Sequence, residues 1–281
     1  MTRLPRPRGP RRTAAFIAGA VAAALAAAML AGIGAGAAGT RPSFTHPARG
    51  GDIRVTPVLH ASLQIAHAGT VIQVDPWSAA DLSTLDAADL ILVTDDPGHH
   101  LDPAAIARLR KPTATVILPS NADGRIPGAR VMRNGDSLTV GAVRVEAVAA
   151  YDLTPGEPAH PKGEANGYVL TLGGRRLYLA GVTECVPEVR ALRRVDVAFM
   201  PLNIPPGRMA PAAAAACTRA LRPGTVYVYH YDQGEASRIG NTAPPAGWLP
   251  DGLTVPASLR AFEDALAGSG ITVRMTDWYR R

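Results

Sequence analysis

Twice along this chain, short runs of β-branched and apolar residues broken by Gly, Pro or Asp give way to helical segments. This repeated grammar constrains the fold more than any other feature. In the first half, strands are expected at residues 53–58, 62–66, 71–74, 90–94 and 116–118. Asp102-Pro103 opens a helix running to Arg110, with Asp at the N-cap and Pro at the first helical position. Runs at 138–140 and 143–145 flank Gly141-Ala142 as a hairpin. The second half repeats the pattern: a hairpin around Gly173-Gly174, helices at 187–193, 211–221 and 256–267, and strands at 195–200, 226–229 and 271–275. Interspersed strands and helices in two similar halves predict two sheets with helices on their outer faces. Residues 232–255, rich in Pro and Gly, are expected to form a long loop.

The N-terminus has a different character. Arg3, Arg6, Arg8, Arg11 and Arg12 precede an almost uninterrupted run of Ala, Gly, Leu, Ile, Val and Met over residues 13–39. A positive segment followed by an apolar one is the signature of a signal peptide, and this run is also long enough to anchor in a membrane. Ala35-Gly36-Ala37 offers a small-residue cleavage site, and Arg11-Arg12 raises a twin-arginine route that the following residues fit poorly. The expected location is exported, periplasmic or extracytoplasmic, free or held to the inner or cytoplasmic membrane. Those five arginines carry most of the formal charge of +6, so the rest of the chain is near neutral and does not point to nucleic acid. Residues 40–51 have linker composition, leaving 52–281 as one domain. Cys185 and Cys217 fall in core-type elements and are expected to be two buried free thiols.

Four places put imidazole or carboxylate at the end of an expected strand: Asp95, Asp96, His99, His100 and Asp102 after 90–94, His160 in its loop, Glu184, and His230 after 226–229. Loops at one end of a layered α/β fold converge, so these groups can meet. Imidazole and carboxylate are the donors that zinc takes. His60 and His67 lie in or near early strands and read as structural, and His46 falls in the linker. Asp75 before Pro76 is expected to satisfy turn donors. Asp102 serves equally as a helix cap, and Lys162 either meets an anionic substrate group or is merely exposed.

A set of segments then carries a specific resemblance. Thr56-Pro57-Val58-Leu59-His60-Ala61-Ser62, Val74-Asp75-Pro76, Ala88-Asp89-Leu90-Ile91-Leu92-Val93-Thr94, Leu101-Asp102-Pro103, His160-Pro161-Lys162-Gly163, Gly167-Tyr168-Val169-Leu170, Leu179-Ala180-Gly181 and Tyr229-His230-Tyr231 follow in order. Over residues 52–281 the chain resembles metallo-β-lactamase-fold hydrolases of the lactonase-like branch. That resemblance implies a four-layer αββα sandwich with a metal site at one edge. The family's His-x-His-x-Asp-His loop has Asp95 at its first His, Pro97 at its second, His99 at its Asp and His100 at its last His. The family's later histidines correspond to His160 and His230, and its bridging Asp to Val182.

Two functional readings follow from these departures. One is an exported protein of hydrolase ancestry whose metal site is degraded, a silent or weakly active binder of a small molecule. The other is a mononuclear zinc hydrolase of an ester, lactone, amide or phosphoester. In it His100, His160 and His230 are the ligands, Asp95 or His99 completes the site, and Asp96 or Asp102 acts as base.

Overall fold

The strand at the centre of the first half shows how the sequence builds the layers. Along β5 (Ala88–Leu92), Leu90 and Leu92 face one buried cluster, whereas Ala88, Ile91 and the following Val93 face another. Side chains alternate across a strand, so the unbroken apolar run Leu90-Ile91-Leu92-Val93 must be covered on both faces. The inner face meets a second sheet. The outer face is covered by α1 (Pro103–Leu109), which packs Ile106 against Ile91 and Val93.

The computed structural model describes residues 1–2, 41–153, 159–250 and 252–279. The first sheet runs in sequence order: β1 (Phe44–His46), β2 (Ile53–Leu59), β3 (Ser62–His67), β4 (Thr70–Val74), β5, β6 (Arg110–Leu118) and β7 (Arg130–Val131). The second comprises β8 (Ser137–Val140), β9 (Val143–Ala150), β10 (Ala165–Leu172), β11 (Arg175–Leu179), β12 (Val197–Pro201), β13 (Thr225–Tyr229) and β14 (Thr272–Arg274), again sequential. Each sheet begins with four antiparallel strands and ends with parallel ones, so the repeated grammar is a repeated topology. The inner faces share one large core. The second sheet's outer side carries α2 (Pro187–Arg190), α3 (Pro211–Leu221) and α5 (Val255–Leu266). This is the αββα sandwich.

Three local expectations need correction. Helix α1 stops at Leu109 and the chain continues directly as β6, because Pro112 disfavours helix at the residue before it. Within 232–255 lies a helix, α4 (Gln233–Gly240). Asp232 caps it by accepting from the Glu235 N–H, which makes Asp-x-x-Glu a capping sequence that outweighs two glycines. Cys185 and Cys217 are not free thiols but form a disulfide with Cα atoms 5.6 Å apart, tying the loop before α2 to α3. Among the described residues no helix is long and apolar enough to cross a membrane. The expected signal or anchor at 13–39 lies outside them.

Candidate metal centre

The carboxyl ends of β2, β5 and β13 meet at one edge between the sheets. Three side chains there sit on strained backbone: His60, Asp75 and His230 have φ of 57°, 43° and 52°. Non-glycine residues hold such angles only where their surroundings over-determine them. His60 occupies the tight turn between β2 and β3, and the His230 N–H donates to its carbonyl at 3.3 Å, joining the two sheets. His60, His99 and His230 each bring a ring nitrogen to one place, all within 4.8 Å of one another. The His60 and His230 ring centroids are 3.8 Å apart, and those of His60 and His99 5.0 Å.

The electrostatics suit a cation. Burial, with the neighbouring imidazoles adding to it, holds His60 and His230 well below the usual histidine pKa and brings His99 down to about 3. All three are therefore neutral at pH 7, the state a metal ligand needs. His60 is fully buried and its Nε2 has no hydrogen-bond partner, while Tyr279 Oη lies 2.7 Å from its Nδ1. A buried polar atom with no partner costs free energy unless something binds it. An ion satisfies that atom, and a second nitrogen held by an oxygen is how ligating histidines are oriented. The residues fit a metal of the zinc class.

His100 stands behind this group. Its Nε2 is 3.0 Å from His230 Nε2, and its Nδ1 is 2.8 Å from Asp75 Oδ2. Asp75 is fully buried and also accepts the Thr94 N–H at 2.7 Å and the Thr94 hydroxyl at 2.6 Å. Burial opposes charge on His100, but the adjacent Asp75, helped by Asp95 and Asp96, outweighs it and raises this pKa. Gln233 of α4 holds the other side of His230, with Nε2 2.8 Å from Nδ1.

His160 joins a different group. Its Nε2 lies 3.6 Å from Asp95 Oδ2 and its Nδ1 3.4 Å from Asp152 Oδ1. Asn121 donates to Asp95 at 2.6 Å, and Arg208 pairs with Asp152 at 2.7 Å and Glu184 at 3.8 Å. Burial pushes the Asp152 carboxyl up, yet His160, backbone N–H donors and Arg208 together hold it below its usual 3.8. Its stabilising effect is then complete above the unfolded value and disappears as pH falls through the folded one. Asp152→Asn is expected to lower unfolding stability by about 1–3 kcal/mol near neutrality. The gap from the parent should close below roughly pH 4, measured by urea unfolding across pH. A gap that does not narrow as pH falls below about 4 would exclude this origin.

The expected residues thus divide. The structure brings His99, His100 and His230 together, and sets His160 with Asp95 one shell away, near enough for His160 to disfavour charge on His99. Asp96 is half-buried beside Asp95. Asp102 is a cap: its carboxylate accepts from the N–H groups of Ala104, Ala105 and Ser78 and from the Ser78 hydroxyl, which leaves it no general-base role. Lys162 is exposed and pairs with Glu188 at 2.6 Å. Pro97 offers only its carbonyl, which accepts from His100 and Leu101, and Val182 is buried. His67 bonds the Arg49 carbonyl, in keeping with a structural role. His60 was expected to be structural and instead lies in the cluster. Its place at a two-residue turn was the only hint in the sequence.

Comparison with known proteins points the same way. The sequence pattern of the β-lactamase superfamily domain matches residues 54–230. A UPF0173 metal-dependent hydrolase of Nitratidesulfovibrio vulgaris is 29% identical over 194 residues, covering 63% of this chain and 80% of that protein. The crystal structure of a candidate metal-dependent hydrolase of Parabacteroides distasonis is 34% identical with a TM-score of 0.69, covering 83% of this chain and 97% of that one. A metallo hydrolase of Ignicoccus hospitalis shares the fold at 18% identity, with a TM-score of 0.60 over 81% of this chain and 96% of its own.

Proposed function

The chain belongs to the β-lactamase superfamily domain family, and on that premise we propose that it is a mononuclear zinc-dependent hydrolase whose ligands are His60, His99 and His230. The observation that carries this reading is the convergence of three neutral imidazoles around a buried, unpartnered His60 Nε2. Three protein ligands and an open fourth position are the make-up of a catalytic zinc site. Zinc bound there would polarise the target oxygen and bring the pKa of a water towards neutrality. Pro97 and Val182 supply no side-chain donor, so the reading is for one ion.

The chain's own groups fill the remaining roles. Gln233, at His230 Nδ1, fixes the orientation of His230, and the ion would take His230 Nε2 in place of its contact with His100, which Asp75 anchors behind the group. Asp95 and Asp96 lie within electrostatic reach of His100 and are the carboxylates assigned to take the proton from the attacking water. Substrates are small molecules with an ester, lactone, amide or phosphoester bond. Export, by a cleaved signal or a retained anchor over 13–39, accords with the Cys185–Cys217 disulfide, since such bonds persist in oxidising compartments.

The test is metal analysis of the full chain after chelation and zinc reloading. One zinc per chain, lost in His230→Ala together with ester hydrolysis, is the expected result. A chain that takes up no metal under zinc-replete conditions would instead be a silent binding protein.

A further inference from the structure

Beside the three imidazoles a cavity of about 300 Å³ opens between Trp77 and α4. Its walls include Trp77, Gly98, His99, Gln233, Ala236 and Gly240, and no acidic, lysine or arginine side chain lines it. The space exists because α4 turns small residues inwards. A Cβ placed on Gly240 would already stand 3.4 Å from Trp77 Cζ2, so any longer side chain there must enter the cavity or displace the indole. His99 is the one ionisable wall, and its ring closes the end nearest the imidazole group. The cations of the neighbouring group are already paired, Arg208 with Asp152 and Glu184, and Lys162 with Glu188. Away from an ion held at the His99 end, an anionic group in this space would leave water without meeting a counter-charge, which is unfavourable, whereas an apolar or aromatic group would stack on Trp77 and gain by burial.

We propose that this cavity holds an uncharged aryl or alkyl part of the substrate, so that the bond presented at His99 is that of a neutral ester, lactone or amide, with Gly240 and Trp77 setting the size limit. The assignment of the bond rests on the hydrolase reading above; the assignment of the cavity does not need turnover to be tested.

Two measurements on the full chain separate the two, the first with zinc loaded and the second after the metal has been removed by chelation. The first compares hydrolysis of p-nitrophenyl acetate and p-nitrophenyl 4-phenylbutanoate by the parent and by Gly240→Leu. The second follows binding of 4-phenylbutan-2-one and of 4-phenylbutanoate by quenching of indole fluorescence, with Trp77→Phe identifying the reporting ring. Gly240→Leu should lower kcat/KM for the long ester at least about tenfold more than for the acetate, the scale on which apolar pockets discriminate size. The parent should bind the ketone in preference to the carboxylate, and Gly240→Leu should weaken that binding. Ketone binding without turnover of either ester would sink the hydrolase reading and leave the cavity assignment standing. A size profile unchanged in Gly240→Leu, preference for the carboxylate, or no binding of either probe would overturn the cavity assignment.

Discussion

His60→Ala is expected to strip the chain of its bound metal and to lower ester hydrolysis by roughly a thousandfold or more, because water activation by the ion goes with it. The argument turns on what else could fill the place of the His60 Nε2. This ring is completely buried, its Nδ1 faces Tyr279 Oη at 2.7 Å, and its Nε2 has no protein partner. His100 is anchored behind the group by Asp75 and is not one of the three imidazoles whose ring nitrogens converge. Tyr279→Phe provides a graded companion. It keeps the ligand but removes the oxygen beside Nδ1, and loss of such a partner typically costs about 10–100-fold in metal affinity. Zinc stoichiometry and affinity, read beside a circular dichroism melt, separate ligand loss from unfolding. A folded His60→Ala chain that still holds one zinc tightly would remove His60 from the ligand set.

The largest loss of stability is expected at Asp75. Its carboxylate is fully buried and accepts from the Thr94 N–H, the Thr94 hydroxyl and His100. Asp75→Ala leaves those donors facing an empty, water-poor space, with His100 deprived of the charge that favours its protonated form. Removing one partner of a buried pair costs about 3–5 kcal/mol, far more than the pair is worth against an apolar replacement. Urea unfolding at neutral pH should show a lower midpoint with an unchanged slope, since the folded chain buries the same surface. A loss under about 1 kcal/mol would mean that the pair adds nothing beyond an ordinary exposed ion pair.

The layers of this molecule were readable from its sequence because each rests on a local pattern. The unbroken apolar run Leu90-Ile91-Leu92-Val93 demanded cover on both faces, and Asp102-Pro103 marked where α1 begins. The site was only partly readable. His99, His100 and His230 end elements with strong patterns, and the loop that carries the first two resembles a known one. His60 also lies in a resembling segment, but nothing in its local pattern marks it as a ligand. Its partner His230 is far along the chain, and only the pairing of their backbones across the sheets reveals them as neighbours. His160 sits where a ligand is expected, and the structure places its ring between Asp152 and Asp95, apart from the three converging imidazoles. The disulfide was equally hidden, since no local pattern tells that the loop before α2 runs alongside α3.

The sequential order of each sheet has a kinetic corollary. His60 and His99 leave the first sheet, and His230 leaves the second. Neither sheet alone presents all three members of the set His60, His99 and His230. An ion that needs all three can be captured only after β13 has been made and the two sheets have met, and contacts so distant in sequence are slow to form. On the proposed ligand set, loading would be the closing event of maturation, and the pace of zinc uptake by a refolding chain would be a clock for the meeting of its two sheets.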